Sequence, residues 1–222
     1  MVFPISAALI GLALGTSHRP SVTVHRKILK TNTFLGTFPS STRRVSEAKT
    51  KRGEKFMAIQ TLKDLYIDQL QDIYSANRQS LEATRKLRET AASDELGEAL
   101  EAGRAGIQEG LGKIGVLIRE HNAEPSGEFC KGMEGLVKEA EAHAINANIA
   151  DDDVRDASII SQYQRMAHYG MAGYGTAAAF AARLGLTNDA QVLRKCLDDT
   201  KSGDARMTGI AVSDVNKQAV AV

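Results

Sequence analysis

The side chains of this chain that could do chemistry lie far apart in the sequence. No Ser-His-Asp or Cys-His arrangement, phosphate-binding loop or zinc-finger spacing occurs. His121 and His143 are near the ends of predicted helices, where we expect solvated side chains, and His168 is alone within a helix, where a buried structural imidazole is expected. Cys130 and Cys196 are expected to be free buried thiols, with a disulfide as the less favoured alternative.

The spacing of apolar residues predicts the helices that position these side chains. From Thr61 the apolar residues trace one helix face to about residue 90. Thr61 is a candidate N-cap, and Asp64, three residues later, completes a pattern typical of a capping box. Ser93 is expected to begin a second helix that reaches His121.

Three further helices are predicted after a break at Pro125. A short third helix covers roughly 130–148, and a fourth, capped by the acidic run at its start, covers 151–184 with Gly185 just beyond its end. A fifth covers about 188–215. Four long helices with one short insertion predict an all-α chain folded as a four-helix bundle with one extra short helix.

Glycine is unusually frequent in two of these helices. Each glycine costs roughly 0.8–1 kcal/mol relative to alanine in a helix interior. Close packing between helices would offset this cost and is the favoured interpretation; a ligand cavity is the alternative. The glycines of the second helix are Gly97, Gly103, Gly106, Gly110, Gly112 and Gly115, and those of the fourth are Gly170, Gly173 and Gly175.

Charge divides the chain near residue 56. Residues 1–56 contain ten Lys and Arg against two acids, whereas residues 57–222 contain 18 basic and 25 acidic residues. A composition change this sharp marks a domain boundary. Because phosphate binding needs a basic face, the acidic domain predicts that nucleic acid is not a partner.

Residues 1–56 allow three interpretations. The apolar run 2–14 is too short to span a bilayer and is similar to the core of a signal peptide, although no basic residue precedes it. The Ser-, Thr- and Arg-rich residues after it suit a transit peptide, and their lack of periodicity predicts disorder. In the favoured interpretation, translation starts at Met57 and the protein is cytoplasmic. A genuine leader would instead make it exported or organelle-targeted.

Four segments, in order, resemble the YciE/YciF-like branch of the ferritin-like superfamily. They are TLKDLYIDQLQDIYSANRQSL (61–81), CKGMEGLVKEA (130–140), RDASIISQYQRMAHYGMAGYGT (155–176) and DVNKQA (214–219). The resemblance covers 57–222 and none of 1–56. It implies a ferritin-like bundle, a stress-associated role, and two iron or manganese ions held by carboxylates and histidine from four helices.

Most of the ligands that the resemblance implies are missing from this chain. Neutral residues occupy the positions where it implies carboxylates or histidine, while His168 and Asp204 are retained. We therefore expect no metal cofactor and no catalysis. The substituted positions are Asn77 in the first helix, Ala105, Gly106 and Gln108 in the second, Ala167 and Gly170 in the fourth and Thr200 in the fifth.

Two alternatives to a non-catalytic bundle remain open. One is an oxidase-, peroxidase- or catalase-like protein that holds iron or manganese with a reduced set of ligands. The other is a small-molecule carrier that uses space beside Gly106 and Gly170. Glu109 and Asp199 are out of phase with positions 108 and 200, and both would point inward only if the alignment shifted. The reduced ligand set would be His168, Asp204, Glu109 and Glu134.

The consecutive apolar residues Val116, Leu117 and Ile118 extend beyond one helix face. They predict a second buried surface, because a helix packed on one side needs only one apolar stripe. A homodimer or another homo-oligomer is therefore expected. A membrane span is not predicted, because no segment is long and apolar enough to cross a bilayer.

Overall fold

The computed structural model describes residues 59–220, which form helices with no strand among them. The expectations for residues 1–56 lie outside the described residues. No helix between 59 and 220 combines the length and the apolar character needed to cross a bilayer. The helices are α1 (Leu62–Thr90), α2 (Asp94–Glu120), α3 (Lys131–Ala140), α4 (Asp152–Arg183), α5 (Thr187–Ile210) and a final turn, α6 (Asn216–Gln218).

Local capping interactions fix the helix ends that the sequence predicts. Thr61 and Asp64 form the reciprocal capping box at the start of α1, and the hydroxyl of Ser93 accepts a hydrogen bond from the α2 backbone. The Asp151 carboxylate caps α4 in the same way. Gly185 follows α4 with φ of 76°, a left-handed conformation that glycine adopts without strain. These four predictions are confirmed.

Two helices end in π-helical turns. The α-helical part of α3 stops at Ala140, and the turn Glu141–Ile145 continues it, so that this helical segment ends three residues before the predicted 148. The N–H of Asn146 donates to the Glu141 carbonyl at 2.8 Å, which closes the wider turn. Similarly, the turn Ala211–Val215 extends α5 to its predicted end.

The four long helices pack as two antiparallel hairpins, α1–α2 and α4–α5. α1 also packs against α4, and α2 packs against α5, so each long helix has two long neighbours. The connection from α2 to α4 crosses the bundle and contains α3, which packs on α1 and α4. One long crossover between two hairpins is the connectivity of ferritin-like folds, and the predicted all-α, ferritin-like bundle is confirmed.

The core consists of two apolar clusters at opposite ends of the bundle. The Leu96 cluster joins the end of α1 and the start of α2 to α3, the first half of α4 and the end of α5. The Leu70 cluster joins the other ends of the four long helices. Leu117 and Ile118 are buried in the Leu70 cluster, and only Val116 of that run is exposed. The run is therefore explained within one chain, and the homo-oligomer stays a prediction.

Candidate functional site

A cavity of about 310 Å³ lies between the two apolar clusters. Members of both clusters line it, including Met133 and Met166 of the Leu96 cluster and Tyr174 and Cys196 of the Leu70 cluster. Its exposed lining residues belong to α2 and α5, so its mouth opens between these two helices. The cavity therefore occupies the middle layer of the bundle, where a ferritin-like protein holds its metal ions.

Glycines on two walls leave this space open. A Cβ atom built on Gly106 would meet nothing within 4 Å, and one on Gly170 would meet only Tyr174, at 3.9 Å. At Gly103 and Gly110, by contrast, a Cβ atom would collide with the hydroxyls of Tyr163 and Tyr174. Close packing explains Gly103 and Gly110, whereas the same interpretation is wrong for Gly106 and Gly170, which border empty space.

Some polar side chains of the cavity lining form hydrogen bonds within the protein, and one does not. The amide of Asn77 donates to the Tyr174 hydroxyl at 2.7 Å, and the Thr200 hydroxyl donates to the Cys196 carbonyl at 2.8 Å. Tyr163 is 6% exposed, and its hydroxyl has no hydrogen-bond partner within 59–220. Burial raises the pKa of Tyr163, which keeps this hydroxyl a proton donor.

Not all of the substituted ligand positions face the cavity. Asn77, Gly106, Gly170, Thr200 and Ala167 line it, but Ala105 and Gln108 are exposed and lie outside it. Helix geometry explains the difference, because one residue turns a side chain by about 100°. The α2 residues that line the cavity include Gly103, Gly106 and Gly110, which recur at helical spacing, whereas Ala105 and Gln108 face away from it.

His168, predicted to be buried, lies on the surface. Its side chain is 64% exposed, and Nε2 is 3.2 Å from Oδ1 of Asp204. Gln164 also donates to Asp204, at 3.1 Å, in a shallow groove between α4 and α5. Because Met166 and Gly170 of α4 face the cavity, position 168 between them faces outward.

The remaining candidate ligands pair with lysines of their own helices. Glu109 at the cavity mouth lies 2.7 Å from Lys113, and its side chain is 66% exposed. Asp199, also at the mouth, pairs with Lys195. Neither carboxylate points inward as a shifted alignment would require. On α3, Glu134 forms a 2.9 Å ion pair with Lys138.

These donors do not fit a di-iron or di-manganese centre. Such a centre in a bundle uses about four carboxylates together with histidine, projecting into one space. No group of three His, Cys, Asp or Glu side chains within the described part of the chain is placed to hold a metal ion. The structure brings His168 and Asp204 together, and it places Glu109 and Glu134 elsewhere.

A second polar cluster, which the sequence did not predict, joins α1, α2 and α5. His121 is nearly buried, with Nε2 2.6 Å from Oδ2 of Asp189 and Nδ1 2.7 Å from Nζ of Lys63. The Tyr66 hydroxyl donates to the same Asp189 oxygen at 2.8 Å. The expectation that His121 is solvated is therefore wrong, whereas His143, with 60% of its side chain exposed, is solvated as predicted.

Both cysteines are free and buried, as predicted. Cys130 caps α3, and its thiol donates to the Tyr169 hydroxyl at 3.0 Å, which in turn donates to Asp72 at 3.0 Å. Cys196 lines the cavity. Burial raises the pKa of both thiols, so the less nucleophilic protonated form predominates at neutral pH.

Comparison with known proteins places this bundle in a family. Residues 61–220 match the family described as a domain of unknown function, DUF892. The chain belongs to the DUF892 family. Protein YciF of Escherichia coli strain K12 is 34% identical over 167 residues, which cover 73% of this chain and 98% of that protein.

Two solved structures of similar proteins agree with the DUF892 assignment. The crystal structure of the E. coli stress protein YciF matches with a TM-score of 0.67 and 32% identity, covering 72% of this chain and 99% of that one. YcfI from Rhodopseudomonas palustris, which has been proposed to be a structural protein, matches with a TM-score of 0.64 and 32% identity, covering 69% and 98%. The DUF892 match starts at Thr61, the N-cap of α1, and includes every helix described above.

Proposed function

We propose that this protein is a stress-associated, non-catalytic member of the DUF892 family whose bundle has no resident metal. The stress association is inferred from the similarity to the E. coli stress protein YciF. The observation that carries the rest is the lining of the middle layer, which contains Asn77, Gly106, Gly170 and Thr200, positions where the family resemblance implies acidic ligands or histidine. Two glycines and two neutral side chains at these positions offer no anionic oxygen to offset the charge of two divalent cations.

A redox protein with a reduced ligand set has less support. Its four candidate ligands lie in three places: His168 and Asp204 in the outer groove, Glu109 at the cavity mouth and Glu134 on α3. One metal ion cannot be held by donors that do not share a coordination sphere. The two donors that do meet, His168 and Asp204, leave most coordination positions to water.

Metal analysis tests this proposal. The protein is expressed in medium supplemented with iron and manganese, purified without chelator and analysed by mass spectrometry for both metals. We expect well below one metal ion per chain. Near-stoichiometric iron or manganese that is lost in His168→Ala or Asp204→Ala would instead support the redox alternative. Arg85→Ala, which changes an exposed side chain that pairs with Glu82 and Glu89 and lies outside the groove and the cavity, is the control variant.

Small-molecule carriage is the second candidate function, and the cavity beside Gly106 and Gly170 favours it. Pockets that bind small ligands measure roughly 300–1,000 Å³, and this cavity lies at the lower end of that range. Its mouth between α2 and α5 gives a route of entry. Native mass spectrometry of the purified protein should show an added organic mass that is lost on denaturation and is absent from the cavity-filling variant Gly106→Leu.

A further inference from the structure

The cavity has a mostly apolar lining, and a hydroxyl and a guanidinium lie at one end of it. Ala99, Ile107, Met133, Met166 and Ala167 supply aliphatic surface on three helices. An apolar cavity of about 150 Å³ already admits benzene, and this space is about twice as large. The apolar part of an occupant is therefore the size of a fused aromatic ring pair or a medium-length acyl chain.

The Tyr163 hydroxyl lines the cavity and makes no hydrogen bond with residues 59–220. Every fully buried side-chain nitrogen or oxygen in that range has a partner, so solvent reaches this hydroxyl through the cavity. It reaches across to the backbone of α2 at Gly103, and a Cβ atom at Gly203 of α5 would lie 3.8 Å from it. A ligand that offers an acceptor here replaces solvent and gains a hydrogen bond that the protein does not make itself. The ligand thus needs an oxygen acceptor beside Gly103 and Gly203.

The charges at the mouth favour an acidic acceptor. Lys113 and Lys195 are paired with Glu109 and Asp199, and these four charges balance. Arg206, one turn beyond Gly203, also lines the cavity and makes no ion pair with a described acid. Asp204 also acts on Tyr163 through its charge, but its carboxylate is held by His168 and Gln164 in the outer groove and does not line the cavity. The mouth therefore has one surplus positive charge.

We propose that the cavity binds a small amphipathic carboxylate, with its apolar body between α2 and α4 and its carboxylate between the Tyr163 hydroxyl and the Arg206 guanidinium. This inference rests on the carrier role proposed above and names its class of ligand. An oxygen anion takes the hydrogen bond from Tyr163 and pairs with the planar guanidinium of Arg206. The binding needs no metal ion and no chemical step.

Calorimetric titration of the chelator-treated protein with 2-naphthoate and with 2-naphthamide tests the proposal. The two probes share their rings and differ in the charge of the head group. We expect saturable binding of both, with naphthoate about tenfold tighter, because hydrogen bonds to charged groups are worth about twice those to neutral ones. Tyr163→Phe should weaken naphthoate about tenfold, and Arg206→Gln should abolish the preference over the amide.

Matched glycine variants locate the site. Gly106→Leu should abolish binding of both probes, whereas Gly112→Leu should leave it unchanged, since both glycines are exposed on α2 with open space at Cβ and only Gly106 lines the cavity. Gly170→Leu fills the cavity from α4 and serves as the second test should Gly106→Leu fail to fold.

Three results would overturn the inference. Equal affinity for the two probes, unaltered by Arg206→Gln, would reject an acidic ligand while leaving the carrier role intact. Binding that persists in both Gly106→Leu and Gly170→Leu would place the site elsewhere. No saturable binding of either probe would reject the ligand class and the carrier role together, and the metal content measured above would still decide the non-catalytic role independently.

Discussion

The Nε2 atom of His121 lies 2.6 Å from Oδ2 of Asp189, although 68 residues separate them in sequence. Lys63 donates to Nδ1 of the same ring, which assigns the ring proton to Nε2 and directs it at the carboxylate. Tyr66 donates to the same carboxylate oxygen and packs edge-on against the imidazole, with ring centroids 5.5 Å apart. One buried carboxylate therefore ties α5 to both helices of the first hairpin.

Removing this carboxylate should destabilise the bundle strongly. Asp189→Ala leaves the donors of His121 and Tyr66 unpaired. Each hydrogen bond to a charged group contributes about 1.5–3 kcal/mol, so the loss of both should cost about 3–6 kcal/mol. Tyr66→Phe removes only one donor and should cost about 1.5–3 kcal/mol. Urea denaturation followed by circular dichroism measures both free energies of unfolding. Equal losses in the two variants would show that the His121 contact contributes nothing.

Restoring carboxylates should create a metal site only if the inward positions are correctly assigned. A quadruple variant places four acids in the cavity: Asn77→Glu, Gly106→Glu, Gly170→Glu and Thr200→Glu. Repulsion between the four carboxylates should lower the Tm in the absence of metal. Binding of Mn²⁺ should raise the Tm again. The matched control carries Gln108→Glu in place of Gly106→Glu and directs one acid to solvent. A thermal shift of the same size in both proteins would contradict the assignment of the α2 face.

The free energy of unfolding should fall as the pH rises into the alkaline range. Burial raises the pKa of Tyr66, Tyr174, Cys130 and Cys196 in the folded chain, so the folded state holds their protons more tightly than the unfolded state does. This contribution to stability is complete at neutral pH and is lost as pH rises above about 9, where unfolded thiols and then phenols ionise.

Free energies of unfolding in urea between pH 7 and pH 11 check that expectation. The decline should be shallower in Tyr174→Phe, which removes one of the titrating groups. A flat profile across this range would show that the buried phenols and thiols ionise as easily as exposed ones.

Two glycine-to-alanine changes should have opposite signs. Gly185→Ala forces an alanine into the left-handed region at the end of α4 and should destabilise the protein by about 1 kcal/mol. Gly112→Ala, within an exposed stretch of α2 and with open space at Cβ, should stabilise it by roughly 0.8–1 kcal/mol. Thermal unfolding of the two variants beside the parent decides this, and a gain in stability for Gly185→Ala would contradict the conformational argument.

The features that could be predicted from the sequence are local ones. A cap such as Ser93 or Gly185 depends on a few neighbouring residues, and its chemistry is visible in the sequence itself. The helix layout follows from periodicity for the same reason. Each of these signals lies within a single element, which is why the bundle was predictable.

The features that were missed depend on partners from other elements. His121 was expected to be solvated because it ends a helix, but its burial depends on Asp189 at the start of α5. Similarly, whether Ala105 or Gly106 faces inward depends on how α2 is rotated against α4 and α5. A helical pattern this rich in glycine leaves that rotation weakly defined, since small residues occur on several faces.

The two apolar clusters pack on either side of the cavity. Each joins parts of the same four long helices, so the chain is held together at both ends of the bundle whatever occupies its centre. Substitutions in the middle layer should therefore cost less folding free energy than substitutions in either cluster. Variation in function within this architecture should concentrate in that layer, while the two ends set whether the chain folds.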